Sequence, residues 1–475
     1  MNDSVWIAVT FVLFLLLFTG VGIYSATQNT NTTVDYLLAS RNVNFWLTAL
    51  SAMATGQSGL LFIGQVGFAY KIGISALWLT VGWAIGDYMA WLWIFRKLRI
   101  LSETMNIETV SDFLGQETTQ YRWVTLISAL ITIAFLGSYA AAQLIAGSKA
   151  LNAVFGWNYH LGIIMGTVIV CAYCFSGGIR ASIWTDAVQG LIMIGSLILL
   201  FFVALTNCGG WGELWTQLDL INPDLINLNP SKLPWGFLPF FLGWVIAGFG
   251  VVGQPHIMIR AMAIDSPRNI IKAVNLKIIG GLINSGCAIG IGLTARVLLP
   301  NLLTQGDPEL ALPYLAIELL PVSLVGLILA GLFSATISTA DSQILSCSAA
   351  LTQNIFPQIA HSYRWAKIGT LTITATVLII ALVGNNNVFA LVTFSWSALA
   401  SGLGPLLILR TLQKSVRIPV AVAMMLIGIL AAFAWNLNGL SNGIYEVLPG
   451  MLAGIFVYLL AEFLIPTNPE ASQLN

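Results

Sequence analysis

This sequence contains very few charged residues. Only 8% of its 475 residues are Asp, Glu, Lys or Arg, whereas 57% are hydrophobic. A water-soluble domain needs a charged surface around its core, so this balance excludes an ordinary soluble protein and predicts a polytopic membrane protein. Lys and Arg together number 19, as do Asp and Glu, so the net charge of zero gives no information about nucleic-acid or acidic partners.

Histidine and cysteine are also scarce. The 3 histidines lie far apart, so the sequence supports no His-based metal site. Cys171 and Cys174 form a C-x-x-C pair, but no second pair and no nearby His accompany them. We therefore interpret this pair as core packing. The apolar runs of the sequence also lack acids spaced i, i+4, and the chain shows no His or Cys nucleophile arrangement, which argues against an intramembrane enzyme.

Long apolar runs occupy most of the chain. They extend for about 17 to 30 residues, as spanning helices require, whereas strands of a membrane barrel would alternate over about ten. We therefore predict an all-α protein with thirteen transmembrane helices. The predicted helices are residues 5–24, 44–68, 75–95, 123–151, 161–175, 184–205, 237–253, 273–299, 322–350, 366–382, 389–409, 419–435 and 447–465.

Basic residues are distributed unevenly between the two ends of these helices. With the N-terminus outside, 15 of the 19 Lys and Arg residues lie on or near the inner side. Because positive charge favours the cytoplasmic side, we predict an N-out, C-in protein of the plasma (inner) membrane. The first run has no basic start or small-residue cleavage site, so we expect a retained helix. We expect no appended catalytic domain.

One apolar run contains a hydroxyl-rich patch. Residues 331–343 read GLFSATISTADSQ, within the predicted helix 322–350. Ala335, Ser338 and Thr339 lie at i, i+3 and i+4, so a backbone carbonyl and two hydroxyls can converge on one point. Such an oxygen set suits Na⁺. The alternative is that both hydroxyls bond to carbonyls of their own helix.

Two other runs are interrupted by small and polar residues. Residues 49–64 read ALSAMATGQSGLLFIG, and residues 248–256 contain three glycines before Gln-Pro-His. Backbone freed at membrane depth is tolerated where it lines a cavity or binds an ion; close helix packing is the alternative. Each break opens a block of five helices, which predicts an inverted repeat with the binding site between its halves.

The predicted organisation follows from these blocks. It comprises a first helix and inner loop (1–42), a first five-helix repeat (43–205), an outer loop (206–236), a second five-helix repeat (237–411), and two C-terminal helices with a short tail (412–475).

Four segments in order carry a resemblance to a known family. They are residues 41–64 (RNVNFWLTALSAMATGQSGLLFIG), 177–189 (GGIRASIWTDAVQ), 253–266 (GQPHIMIRAMAIDS) and 328–349 (ILAGLFSATISTADSQILSCSA). The chain resembles the sodium/solute symporter family, nearest to sodium/proline symporters, over almost its whole length. The resemblance implies a fold of the leucine-transporter type, with ten core helices in two inverted five-helix repeats, one helix before and two after.

The resemblance also implies a set of Na⁺ ligands. Backbone oxygens of the first core helix correspond to Ala54 and Gln57, and a carbonyl and two hydroxyls of the eighth correspond to Ala335, Ser338 and Thr339. The helical-face argument reaches the same last three residues.

Three intramembrane acids need separate interpretation. Asp186 matches a family acid thought to lie along the sodium exit route, although it can equally be a helix N-cap. Asp341 follows the hydroxyl pair by half a turn, and we expect it to tune the ion site or to pair with an inner-side Arg. Asp87 matches no motif and stays unassigned.

The substrate positions depart from the proline pattern. The positions that match the family's solute site are Ser58, Leu60, Tyr139, Ala247, Val251 and Pro255. Leu60 and Ala247 replace two large aromatics. Trp244 lies three residues before Ala247, so a shift of the match by about one helical turn would restore one of them. The sequence shows no intramembrane Arg or Lys placed to bind a carboxylate.

We therefore predict a Na⁺-coupled symporter that imports a small organic solute by alternating access. Proline is the first candidate solute, and another small amino acid is the second. Na⁺-coupled uptake of a small carboxylate or vitamin-like acid stays open, as does a transporter-derived channel or sensor. The expected partners are the solute, Na⁺ and the lipid bilayer, with no nucleic acid. The oligomeric state is left open.

Overall fold

Helices form almost all of the described chain. The computed structural model describes residues 3–28, 30, 32–116, 121–230, 233–304, 306–360, 362–384 and 387–464, so the predicted tail after residue 465 lies outside the described residues. The α-helices are α1 (Asp3–Ala26), α2 (Thr33–Leu38), α3 (Phe45–Gly59), α4 (Val66–Ile72), α5 (Leu77–Ala90), α6 (Arg96–Thr104), α7 (Val110–Gly115), α8 (Arg122–Ile131), α9 (Gly137–Phe155), α10 (Tyr159–Asn207), α11 (Trp211–Ile221), α12 (Phe237–Phe249), α13 (Pro255–Ala263), α14 (Ile270–Leu298), α15 (Ala311–Leu319), α16 (Val322–Ala349), α17 (Tyr363–Val383), α18 (Val388–Thr411), α19 (Ile418–Leu437) and α20 (Val447–Leu464).

Many of these helices are long and apolar enough to cross a membrane. Within the described residues there are 10 such spans, or 11 when the bent pair Phe237–Gly253 and Pro255–Ala263 is counted as one. The predicted class, an all-helical polytopic membrane protein, is confirmed.

The number of spans differs from the thirteen predicted. Two predicted helices, 44–68 and 75–95, fall within one helical segment, Phe45–Thr104, and a third corresponds to the shorter apolar helix Tyr159–Ala172. Within the long segment, Gly73 has φ +74°, which no regular helix contains. Thirteen spans therefore stays a prediction.

The helices are interrupted where the sequence predicts it. In α3 the backbone leaves helical geometry at Ser58 (φ 53°, ψ −174°), and a π-helical segment, Leu60–Gln65, follows directly. A left-handed φ at a buried serine is strained by about 1–3 kcal/mol, and such strain persists only where the surroundings enforce it. The second predicted break is at Gln254, where α12 and α13 meet at 64°.

A third break falls between two helices predicted as separate, 161–175 and 184–205, which the structure joins in α10. In α10, Gly178 has φ 57° and ψ −143°. A Cβ atom at this position would lie 2.4 Å from the Tyr36 carbonyl oxygen, so the close approach of α2 requires glycine here.

Helix α16 lies at the centre of the assembly. Every residue from 328 to 349 is buried, and the helix packs against α1, α3, α9 and α10. At Gly331, a Cβ atom would lie 2.2 Å from Ser196 Oγ, so the glycine allows α16 to approach α10 closely. By contrast, α1, α19 and α20 leave most of their apolar surface uncovered, as expected of helices that face lipid.

One end of the assembly is tied together by the segment before α3. The Arg41 guanidinium donates hydrogen bonds to the carbonyl oxygens of Ser102 (2.9 Å), Ile107 (2.6 Å) and Met262 (3.2 Å). Val43 pairs with the chain at Ile264 in a short parallel bridge. This end is the one predicted to face inward.

Candidate functional site

The broken helix α3 and the hydroxyl-rich face of α16 are in direct contact. Thr339 Oγ1 donates a hydrogen bond to the Thr55 carbonyl oxygen at 3.0 Å, and Thr55 Oγ1 lies 3.4 Å from the Ser338 carbonyl oxygen. The two segments are 283 residues apart in the chain. The two segments that were predicted to form an ion site are therefore adjacent.

The three predicted oxygen donors of α16 converge. Ser338 Oγ lies 3.2 Å and Thr339 Oγ1 lies 3.0 Å from the Ala335 carbonyl oxygen, and all three residues are fully buried. The Ser338 hydroxyl donates to that carbonyl, which is the alternative considered above, and the Thr339 hydroxyl shares its single proton between the Ala335 and Thr55 carbonyl oxygens. A hydroxyl oxygen keeps two lone pairs while it donates, so the same arrangement can also coordinate a cation.

The two predicted donors of α3 flank this contact. Ala54 is fully buried, and the carbonyl oxygen of Gln57 accepts from the backbone N–H of Leu60 across the break. The Gln57 side chain turns toward α14, where it donates to the Gly281 carbonyl oxygen (2.9 Å) and accepts from Asn284 Nδ2 (2.7 Å). Helix α14 thus fixes the orientation of the broken segment.

Asp186 lies inside the protein in an ion pair with Arg260. Asp186 Oδ2 is 2.9 Å from Arg260 Nη2, and both side chains are completely buried. The same carboxylate oxygen accepts from Ser51 Oγ (2.7 Å) and from Thr55 Oγ1 (3.2 Å). Asp186 lies two turns beyond the break at Gly178, so it is not a helix N-cap.

Asp341 belongs to the same buried cluster. Its Oδ1 accepts from Ser182 Oγ (3.2 Å) and from Ser342 Oγ (2.7 Å), and both of those hydroxyls also accept hydrogen bonds from Arg260. One oxygen of each acid, Asp186 Oδ1 and Asp341 Oδ2, has no hydrogen-bond partner among the described residues. With both acids ionised, two carboxylates face a single guanidinium, which leaves one excess negative charge.

A cavity of about 100 Å³ lies beside the broken helix, between α3, α5, α12, α14 and α18. Its wall is mostly apolar, with a few polar groups, as in small-molecule sites generally. Two of the predicted solute residues, Leu60 and Val251, line it. The volume suits a small solute, not a polymer.

The other predicted solute residues lie elsewhere. Tyr139 donates to Ser58 Oγ at 3.3 Å behind the break, and Ala247 presents its carbonyl oxygen to Trp396 Nε1 at 2.9 Å. Pro255 begins α13 and lines a separate, smaller cavity. None of these four residues is among those that line the larger cavity in the described part of the chain.

Three tryptophans form one side of the cavity. Trp83 lies 4.7 Å from Trp396 and 6.4 Å from Trp244 between ring centroids. Trp244 therefore lines the cavity, and Trp83 and Trp396 add aromatic surface that the sequence analysis did not anticipate.

Two basic residues were also missed. Arg260 and Lys277 were interpreted as inner-side charges, yet Arg260 is fully buried and Lys277 is 5% exposed. Lys277 lines the cavity and is paired with Asp87, which gives that acid a partner. The expectation that no intramembrane Lys or Arg could bind a carboxylate was wrong. The sequence did carry signals, because Arg260 follows the break at Gln254 within an apolar stretch and Lys277 lies inside the predicted helix 273–299.

A helical membrane protein whose interrupted helices enclose an oxygen-lined contact and an adjacent small cavity has the architecture of a secondary transporter. Residues 36–428 match the sodium:solute symporter family, so the chain belongs to that family and is a transporter, not an enzyme.

Relatives and a solved structure agree with this assignment. The chain is 29% identical over 466 residues to the high-affinity proline transporter PutP of Bacillus subtilis, covering 95% of this chain and 97% of the relative. It is 30% identical to a sodium/proline symporter of Staphylococcus aureus, covering 95% and 91%. A Na⁺-coupled sialic acid symporter superimposes with a TM-score of 0.80 at 18% identity, covering 97% and 98%. The predicted leucine-transporter-type fold is thereby confirmed.

Proposed function

We propose that this transporter imports a small amino acid, with proline the best single candidate, by Na⁺-coupled symport. The observation that carries the proposal is the contact of Thr55 with Ser338 and Thr339, where buried oxygens of two separate helices meet. Ala54, Gln57, Ala335, Ser338 and Thr339 would supply the Na⁺ ligands.

The buried charge cluster favours a cation at this place. Thr55 Oγ1 lies within 3.4 Å of both Asp186 Oδ2 and the Ser338 carbonyl oxygen, so the proposed ion site and the acids share a hydrogen-bonded wall. The excess negative charge of Asp186 and Asp341 over Arg260 attracts a positive ion. Placing such a charge inside a membrane costs free energy, and intramembrane charged residues mark ion pathways and coupling sites.

Coupling follows from where the ion would bind. Na⁺ that bridges α3 and α16 favours the conformation in which these helices touch, and the solute then binds to a cavity whose wall α3 completes. One charge that crosses about 100 mV releases about 2.3 kcal/mol. A tenfold Na⁺ gradient adds about 1.4 kcal/mol. Together they sustain a solute gradient of several hundredfold.

Inward release requires the other end of the protein to open. In the proposed N-out orientation, the contacts of Arg41 with the last turns of α6 and α13 and with the segment after α6 close the inner side. They must separate when the two inverted repeats rock against each other. The proposal thus retains thirteen spans and two repeats as its framework.

The choice of solute rests on the relatives and on the cavity. The two relatives named above carry proline in their names, and the cavity suits a small molecule with apolar surface. Leu60 stands where proline symporters have a large aromatic, so the accepted range can differ from theirs. A small carboxylate is the second candidate, because Lys277 reaches the cavity wall.

The test is uptake into proteoliposomes. An inward Na⁺ gradient should concentrate labelled proline or another small amino acid, and a K⁺ gradient of equal size should not. Competition by amino acids and small carboxylates then ranks the solutes. Uptake that only equilibrates, or that proceeds equally without Na⁺, would indicate a channel and contradict the proposal.

A further inference from the structure

A second intramembrane ion pair borders the solute cavity. Asp87 of α5 and Lys277 of α14 are in hydrogen-bond contact through Oδ2 and Nζ, and they are 6% and 5% exposed. Lys277 Nζ also lies 5.4 Å from the centre of the Trp91 ring. Among the described residues that line the cavity, Asp87 and Lys277 are the charged ones.

Mere attachment of α5 to α14 is a poor explanation for this pair. Moving two charges out of water costs several kcal/mol per ion, and apolar side chains of similar size often hold helices together as well or better. Charged residues inside membrane segments are rare and mark solute or ion sites. The pair therefore needs a functional reason.

The hydrogen bonding of the pair is also incomplete. Asp87 Oδ1 is buried and has no hydrogen-bond partner among the described residues. The Lys277 ammonium has three N–H donors, of which the structure shows one used, toward Asp87. The pair thus offers an acceptor and donors side by side, with no net charge, on the wall of a cavity.

The pair lies next to the first break. A Cβ atom placed on Gly56 would be 4.0 Å from Lys277 Cε, and one turn along α14 the Gly281 carbonyl oxygen holds the Gln57 side chain. A solute on Asp87 and Lys277 would therefore touch the segment that carries two proposed Na⁺ ligands. The ion and the solute would then both contact the broken segment of α3.

We propose that Asp87 and Lys277 recognise the two ionised ends of a zwitterionic α-amino acid. The solute ammonium donates to Asp87 Oδ1, and the solute carboxylate accepts from Lys277 Nζ. An α-amino acid carries its ammonium and carboxylate groups on the same carbon atom, so it can contact both members of a pair that stays intact. The aromatic and aliphatic wall around Leu60, Trp83 and Trp244 receives an apolar side chain.

This inference rests on the proposed function, and it narrows the solute from small organic molecules to net-neutral ones with two opposite charges. A simple carboxylate would leave Asp87 Oδ1 facing an anion without a hydrogen bond. A site with buried polar groups strongly rejects an analogue that leaves one of them unpaired.

The test uses matched trios of solutes on the purified full-length protein. Each trio contains an amino acid, its amide and its deaminated acid: L-proline, L-prolinamide and cyclopentanecarboxylate, and then L-leucine, L-leucinamide and isocaproate. Thermal stabilisation in Na⁺ buffer is followed by intrinsic tryptophan fluorescence. In at least one trio, the zwitterion should bind at least about a hundredfold more tightly than either analogue.

Variants separate recognition from folding. Asp87→Asn leaves Lys277 as an unpaired cation, so the deaminated acid should overtake the zwitterion in that trio. Asp87→Asn with Lys277→Met removes both charges and a buried ionic contact together, so this form should fold and bind the three members of a trio within about threefold of one another. Asp35→Asn with Arg180→Met removes a different ion pair (2.5 Å), remote from the lining residues, and should keep the wild-type ranking.

The outcomes are distinct. Equal binding of zwitterion and deaminated acid by the wild type, no binding of any zwitterion, or an unchanged ranking in the double variant would each overturn the inference. If the zwitterion binds with the same affinity in Na⁺ and in K⁺ and still binds more tightly than both analogues, Na⁺ coupling is wrong while the role of the pair stands.

Discussion

Two buried ion pairs lie near the middle of this protein, and they differ in charge balance and in access. Arg260 faces two acids, Asp186 and Asp341, in a region that is fully buried. Lys277 faces one acid, Asp87, on the wall of the cavity. With all of these groups ionised, the first group carries one excess negative charge and the second is neutral.

In the proposed mechanism, this difference separates the sites of the two ligands, the cation and the solute. A region with excess negative charge, lined by hydroxyl and carbonyl oxygens, attracts a small cation. A neutral pair with a free acceptor on a mostly apolar cavity suits a solute that brings one charge of each sign. The predictions below alter one region while the other serves as reference.

The largest effect should come from Arg260→Met. This change leaves two buried carboxylates without a counter-charge, and removing one partner of a buried pair destabilises by about 3–5 kcal/mol. Thermal unfolding of the purified protein should show a much lower Tm or little folded material. Arg268→Met, at an exposed position between α13 and α14, is the control and should leave Tm unchanged. Equal Tm values for the two variants would show that Arg260 does not balance the acids.

Ser338→Ala with Thr339→Ala should come next. Hydrogen bonds and contacts to a charged group contribute about 1.5–3 kcal/mol each, so the Na⁺ concentration for half-maximal uptake should rise well over tenfold. Solute affinity at saturating Na⁺ should change little. Ser334→Ala with Ser346→Ala removes two buried hydroxyls of the same helix as a control. An identical Na⁺ dependence in both double variants would remove the proposed ligand assignment.

Asp186→Asn should have a smaller effect. It keeps the side-chain shape while it removes the excess charge, so Na⁺ affinity and turnover should each fall by about tenfold, or about 1.4 kcal/mol. Initial uptake rates at several Na⁺ concentrations measure both. Asp265→Asn, at an exposed site, is the control. Wild-type rates would reduce Asp186 to a structural partner of Arg260.

The smallest change should follow Leu60→Trp. A larger ring on the cavity wall should exclude bulky competitors while the Na⁺ dependence stays as in the wild type. Competition assays with proline and leucine measure the effect, and Leu13→Trp on the exposed surface of α1 is the control. An unaltered competition profile would show that Leu60 does not contact the solute.

The ion side of this comparison was largely predictable from the sequence. The helical period puts Ala335, Ser338 and Thr339 on one face whatever packs against it, and small polar residues in an apolar run predicted the break at Ser58. Both signals depend only on residues that are close together in the sequence. They can therefore be interpreted without knowing which helices pack against these segments.

The solute side was less predictable. Hydropathy assigns a residue to a depth in the membrane but not to a direction around its helix, so Lys277 near the start of its run looked like a loop charge. Trp83 and Trp396 lie in runs for which the sequence predicted no break, and tertiary packing alone directs them into the cavity. Positions assigned by resemblance, such as Ala247, are misplaced wherever the match to the family is shifted by a few residues.

Direct binding of radioactive Na⁺ to the purified protein tests the account most closely. The wild type should bind Na⁺ saturably and against an excess of K⁺, with an affinity that rises when a transported solute is added. The variant Ser338→Ala with Thr339→Ala should bind Na⁺ at least about tenfold more weakly. Equal Na⁺ affinity in both proteins would contradict an ion site between α3 and α16.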